Sequence, residues 1–125
     1  MSNRLEDLEI YQLAESFSDE IWFIVLEWDY FAKDTLGKQL VRSADPIGAN
    51  IAEGFGRFHF KENKNFCYFS RGSLLETKSW LNKAKTRKLL TEAQYSDYLN
   101  KLSTLHLKLN IYIKHIGYKI ERETQ

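Results

Sequence analysis

The stretch 36–56, LGKQLVRSADPIGANIAEGFG, constrains the fold more than any other part of the chain. Its apolar residues recur every three or four positions, which is typical of a helix, yet Pro46 and Gly48 stand in its middle. Pro46 has no backbone N–H to donate, and a glycine inside a helix costs about 1 kcal/mol relative to alanine. A helix that keeps both is expected to bend there and to let another helix approach closely. Gly54 and Gly56 are expected to end it in the left-handed cap conformation.

Apolar spacing along the rest of the chain predicts three more long helices, and no segment alternates as a strand does. The connections are short, so consecutive helices are expected to run antiparallel. The sequence therefore predicts an all-α, antiparallel up-and-down four-helix bundle in a single domain, 1–125. The expected helices are 8–31, 35–54, 61–88 and 92–120. The expected N-caps are Asp34 or Thr35 for helix 2 and Thr91 for helix 4.

Helix 3 is unusual because its apolar line is interrupted at Gly72, Ser73 and Thr77, where the side chains are small or hydroxylated. This interruption predicts a close crossing with helix 2, with the Ile47–Ile51 side filling the gap. The expected core residues of helix 3 are Phe66, Phe69, Ser70, Ser73, Thr77, Trp80, Leu81 and Ala84.

Five polar residues on helices 2 and 3 invite an interpretation as a group. Asn50 and Glu53 are one turn apart, as are Ser73 and Glu76, and Arg42 lies two turns before Asn50. If these faces meet, Asn50 and Glu53 are expected to bond across to Ser73 or to backbone exposed at Gly72. We interpret the group as a structural network that sets helix register, and a ligand or catalytic pocket is the alternative.

Charge is divided unevenly along a chain whose net charge is only +1. Residues 1–35 hold two cations and nine carboxylates, which gives −7, while residues 57–88 hold nine cations and two carboxylates, which gives +7. The two segments are expected to complement each other within or between subunits. The alternative is that the basic segment contacts a phosphate backbone of RNA or DNA. Its cations are Arg57, Lys61, Lys64, Arg71, Lys78, Lys83, Lys85, Arg87 and Lys88.

The sequence contains no recognisable catalytic constellation. A di-iron site in a four-helix bundle needs Glu-x-x-His pairs, which are missing, and His59, His106 and His115 have no metal-ligand spacing. No glycine loop that cradles phosphates occurs. Cys67 has Lys64 and Arg71 at helical neighbour spacing, which predicts a lowered pKa, but it lacks a catalytic partner. We expect no catalytic residue, no cofactor and no metal.

Other features concern location. The chain has no run of about 18 apolar residues, and its N-terminus is acidic and amphipathic, so we expect neither a membrane span nor a signal peptide. A single cysteine fits a reducing compartment. The expectation is a cytoplasmic protein without membrane contact.

Three motifs resemble the four-helix-bundle proteins related to the 23S rRNA intervening-sequence protein and, more distantly, the accessory variability proteins of retroelements. Pro46 and Gly48 depart from the family pattern, which usually has serine and often proline at these places. The matching residues are Leu8, Ile10, Tyr11, Gln12 and Ala14 in helix 1, Gln39, Leu40, Arg42, Ser43, Ala44 and the run IGANIAEG at 47–54 in helix 2, and Gly72, Ser73 and Glu76 in helix 3.

The resemblance implies the same bundle, assembled as a homo-oligomer and often as a homo-pentameric ring. It implies a non-enzymatic interaction or scaffold protein whose biochemical role is undefined. The alternative is an accessory protein that binds RNA or DNA through the basic face of helix 3.

Overall fold

The structure, a computed structural model, describes residues 3–124 and, of their side chains, those up to residue 122. Within this range the chain is an all-α four-helix bundle without strands. A 3₁₀ turn, Leu5–Asp7, precedes helix α1, Glu9–Leu26. Helix α2 consists of three consecutive segments, Tyr30–Ala32, the π-helical Lys33–Gly37 and Lys38–Phe55.

Two longer helices complete the bundle. They are α3, Phe60–Thr86, and α4, Glu92–Thr124. α1 packs against α2 and α4, and α3 packs against the same two helices, so α1 and α3 lie diagonally across the bundle. No helix within residues 3–124 is both long and apolar enough to cross a membrane.

The boundary between α1 and α2 differs from the prediction. α1 ends at Leu26 instead of 31, and α2 begins at Tyr30 instead of 35. The predicted caps Asp34 and Thr35 were wrong, because both lie inside the π-helical segment. The cap is Asp29, whose Oδ1 accepts a hydrogen bond from the backbone N–H of Ala32 at 3.0 Å. Apolar periodicity runs on through this turn, so spacing alone hid it.

The predicted left-handed cap at the end of α2 was also wrong. α2 runs to Phe55, and Gly56 has a right-handed φ of −80°. The left-handed residue is Lys88, with φ 61°, just after α3. There the N–H of Leu89 donates to the carbonyl of Ala84 at 2.9 Å, and the N–H of Lys88 donates to the carbonyl of Lys85 at 3.0 Å. These two bonds form a Schellman motif with lysine where glycine is usual.

The predicted start of α4 is confirmed by a capping box. Thr91 Oγ1 accepts from the backbone N–H of Gln94 at 3.1 Å, and Gln94 Oε1 accepts from that of Thr91 at 2.9 Å. The two side chains satisfy each other's free backbone donors, which fixes where the helix begins.

Small residues let α2 approach both of its neighbours. A Cβ added to Gly48 would overlap the Glu15 carboxylate and lie 3.4 Å from the Ala14 Cβ of α1. A Cβ added to Gly54 would lie 2.9 Å from the carbonyl oxygen of Asn63 on α3. The expected close approach at Gly48 is therefore confirmed. α2 stays helical through Pro46, and the bend there remains a prediction.

The rotation of α3 about its axis differs from the prediction. Cys67 and Leu74 are buried, whereas Phe69 is 58% exposed and Ser73 is only partly buried. A close crossing at Gly72 was wrong, because nothing lies within 4 Å of a Cβ added there. α3 carries aromatic residues on several sides, so apolar spacing did not decide which side faces the core.

We predict that Gly54→Ala destabilises the fold by about 2 kcal/mol, because the new Cβ would push against Asn63 and the Cβ of Phe66. Gly72→Ala is the matched control on α3 and is expected to stabilise the fold by about 0.5 to 1 kcal/mol. Alanine lowers the conformational entropy of the unfolded chain, and its Cβ meets no neighbouring atom in the folded protein. Urea unfolding of both variants measures these changes. Equal effects at the two sites would contradict the close contact at Gly54.

Candidate functional site

The five polar residues predicted as a network do not come together. Asn50 Nδ2 donates to the carbonyl of Pro46 on its own helix at 2.9 Å, and Glu53 pairs with Arg57 at 2.5 Å. Arg42 and Glu76 are exposed. Ser73 takes part only through its backbone carbonyl, which accepts a hydrogen bond from Thr77 Oγ1 at 2.8 Å. The reason is the rotation of α3, which turns Glu76 away from α2.

A different polar group crosses between α2 and α3. Ser70 Oγ donates to the carbonyl of Ile47 at 2.7 Å, and Thr77 Oγ1 lies 2.9 Å from Ser43 Oγ. All three hydroxylated residues are buried. Hydrogen bonds between buried side chains fix how two helices slide and rotate against each other. The hydroxylated positions at 70 and 77 were the sequence signal for this crossing, whereas Ser43 was not predicted to take part in it.

Cys67 is a packing residue. It is fully buried, and its Sγ lies 3.7 Å from Oδ1 of Asn63, whose amide nitrogen donates to the Tyr112 hydroxyl at 3.3 Å. Burial raises the pKa of the Cys67 thiol to about 11. The predicted lowering by Lys64 and Arg71 was therefore wrong, because both cations lie against the exposed ring of Tyr68. A protonated, buried thiol is a poor nucleophile.

The nine cations predicted for nucleic-acid contact are spread around α3. Arg57 is held between Glu53 and Glu62 and covers Phe66, and Lys85 pairs with Glu92 at 3.6 Å. Lys64 and Arg71 flank Tyr68, with the charged groups 5.9 and 5.0 Å from the ring centre. Five cations are exposed and have no ion pair among the described residues: Lys61, Lys78, Lys83, Arg87 and Lys88.

These five cations do not form one continuous face. Lys78 and Lys83 are separated by five positions, which turns them about 140° apart around the helix axis. Arg87, which follows the end of α3, instead lines one cavity together with Arg42 of α2. The sequence had placed these two arginines in separate groups.

The bundle edge formed by α1 and the start of α2 exposes large apolar side chains. We call the group the aromatic patch, and its members are between 47% and 80% exposed. Beside it, an apolar groove of about 310 Å³ runs between the two helices and is lined in part by Val25 and Val41. The aromatic patch consists of Trp22, Phe23, Leu26, Tyr30 and Phe31.

Charge on α1 is only partly matched inside the subunit. Glu20 pairs with Lys101 at 2.6 Å and Glu9 pairs with Lys108 at 2.8 Å, both on α4. The basic α3 lies diagonally opposite and does not compensate α1 within the bundle. The predicted complementarity within the subunit is therefore wrong for these two helices, and complementarity between subunits stays a prediction.

A small acidic group lies where α1 meets α2. Ser18 Oγ donates to Asp45 across the two helices, and Glu15 lies over Gly48. Partial burial, followed by the nearby carboxylates of Asp19 and Asp45, raises the pKa of Glu15. Among residues 3–122, no three His, Cys, Asp or Glu side chains form a group suited to a metal ion.

The chain matches a known protein family and a solved structure. The family described as 23S rRNA-intervening sequence protein matches residues 6–111. The chain belongs to this family. The resemblance read from the NIAEG motif and its context is thereby confirmed. A comparison with curated proteins gives no match.

A solved structure confirms the family fold. It is a protein with unknown function from the S23 ribosomal protein family of Bacteroides thetaiotaomicron, and it shares 22% identity with this chain. The superposition covers 84% of this chain and 98% of that one, with a TM-score of 0.76. At this identity the likeness establishes the bundle fold alone.

We predict that Glu15→Gln stabilises the protein at pH 7. A raised pKa means that ionised Glu15 opposes folding, and this penalty disappears as the pH falls below the ordinary value of 4.5. The gain of the variant over the wild type is therefore expected at pH 7 and is expected to vanish near pH 4. Urea unfolding of both proteins at each pH measures it.

The matched control is Glu76→Gln on the exposed side of α3, which is expected to leave stability nearly unchanged at either pH. A gain from Glu15→Gln that is the same at both pH values would show that packing, and not charge, causes it.

Proposed function

We propose that the protein is a non-enzymatic, self-associating four-helix bundle that acts as an interaction or scaffold module. The aromatic patch carries this proposal. Five large apolar side chains exposed together on one edge are costly in water, and such patches typically mark association sites. The unreactive Cys67 thiol and the absence of a metal-binding group within residues 3–122 support a non-catalytic role.

Charge supports a head-to-tail mode of association. The aromatic patch is bordered by exposed carboxylates at Asp19, Glu27 and Asp29. On the diagonal helix, α3 exposes Tyr68, Phe69 and Leu75 next to Lys61 and Lys83. An acidic apolar face and a basic apolar face on opposite sides of one subunit favour contact between unlike faces of successive copies.

Contacts of this kind either close into a ring or continue as a filament. A closed homo-pentamer, as the family resemblance implies, is the assembly that we propose. A closed ring covers both exposed apolar faces, because the aromatic patch of each copy packs against the exposed apolar side of α3 on the next copy.

The wild type is expected to behave in light scattering as an oligomer of about 74 kDa, five times the 14.8 kDa chain. Phe23→Glu places a charge in the aromatic patch and is expected to give a monomer with unchanged helix content. Leu107→Glu is the matched control, since Leu107 is equally exposed, at 63%, but lies on α4. A wild type that is monomeric at both low and high salt would overturn the proposal.

RNA binding is the second candidate, and the cations around Tyr68 favour it. An exposed aromatic ring between Lys64 and Arg71 combines a surface for base stacking with two charges for phosphates. Arg71 is also held by Asn110 at 2.8 Å, so it is positioned without being neutralised. Single-stranded RNA is the nucleic acid that this arrangement suits.

If RNA binds here, fluorescence anisotropy is expected to show affinity at about 50 mM salt that falls steeply by about 200 mM. Tyr68→Ala is expected to weaken binding by about tenfold or more, through lost stacking. Tyr118→Ala removes an exposed tyrosine elsewhere, on α4, and serves as the control. No binding in about 50 mM salt would end this candidate.

A further inference from the structure

A second cavity lies between the first half of α2 and the last turns of α3. Its volume is about 440 Å³, within the range usual for small-molecule sites. The lining residues that matter for binding are Asp34, Lys38, Arg42, Trp80 and Arg87.

The charges in this cavity are not balanced. Lys38 is paired with Asp34 at 2.7 Å. The side chains of Arg42 and Arg87 have neither an ion pair nor a hydrogen bond with any described residue. Two guanidinium side chains, one on α2 and one just after the end of α3, therefore line one cavity without a carboxylate partner of their own. Guanidinium groups present several donors in a plane, which suits an anion with several oxygen atoms.

Trp80 forms a flat apolar wall of the same cavity. It is partly buried against the core, and its indole nitrogen is closed to solvent and has no hydrogen-bond partner. The ring face, and not this nitrogen, is what Trp80 offers to a ligand. An aromatic wall next to two cations suits a ligand that is planar and apolar at one end and anionic at the other.

We propose that this cavity binds a nucleotide, with Arg42 and Arg87 on the phosphate oxygens and Trp80 against the base. A simple carboxylate would satisfy one guanidinium group and leave the aromatic wall unused. A diphosphate offers oxygen atoms to both arginines, and the base covers the ring. The neighbouring Lys83 and Lys88 add positive potential at this end of α3. The cavity adjoins the groove beside the aromatic patch, because Asp34, Lys38 and Arg42 line both.

Titration calorimetry with ADP, pyrophosphate and adenosine tests the proposal. ADP is expected to bind, pyrophosphate to bind more weakly and adenosine most weakly, since the phosphates supply the charge contacts. The double variant Arg42→Gln and Arg87→Gln is expected to weaken ADP binding by at least about tenfold. Trp80→Phe keeps an aromatic wall and is expected to weaken ADP binding less than the double variant does.

The matched control is the double variant Lys61→Gln and Lys78→Gln, which removes the same charge from exposed positions of α3 outside the cavity and is expected to keep most of the affinity. Circular dichroism and thermal unfolding of each variant show that the bundle is intact. Absent ADP binding, equal loss in both double variants, or adenosine binding as tightly as ADP would each overturn the proposal.

Discussion

The close contact between α2 and α3 is the interaction on which the rest of the structure depends. At Gly54 the missing side chain brings the two backbones together over Asn63, and farther along the helices Ser70 bonds to the carbonyl of Ile47. Farther still, Thr77 meets Ser43 in the core. Because buried hydrogen bonds require particular partners, they fix the rotation of α3 more tightly than apolar packing does. That rotation sends Leu74 to the core and leaves Phe69 and the lysines outside, so one contact decides both the interior and the outer surface.

The second constraint is electrostatic. An acidic α1 and a basic α3 would attract each other if they were neighbours, but the bundle order separates them diagonally. α4 neutralises part of α1 through Glu20 and Lys101, and α3 retains exposed cations at Lys61 and Lys83. Charges on exposed side chains are screened by salt and contribute little to stability by themselves. Their main effect is therefore on which partner approaches, and on which side.

Three surfaces with different chemistry follow from this arrangement. The aromatic patch lies on the α1–α2 edge, Tyr68 and its two cations lie towards α4, and the cavity with Arg42 and Arg87 lies between α2 and α3. The cavity adjoins the groove beside the aromatic patch, because Arg42 lines both, and Tyr68 belongs both to the basic face of α3 and to the proposed RNA surface. Trp80 and Arg87 line only the cavity, so substitutions there separate nucleotide binding from self-association. The solved relative shares the bundle at 22% identity and is itself described as having unknown function, so these surfaces carry the functional argument.

The sequence by itself determined the number of helices, their antiparallel order, the family, the Thr91 cap and the close approach at Gly48. Periodicity, capping and chain connection are local properties, and a motif is read directly from neighbouring residues. Only the tertiary structure decided where α1 ends, which side of α3 is buried, and that Arg42 and Arg87 line one cavity. Asp29 begins α2 in the middle of an apolar pattern, and α3 has aromatic residues on several sides, so spacing favoured no single answer. Those choices depend on packing between segments far apart in the chain, which no local pattern records.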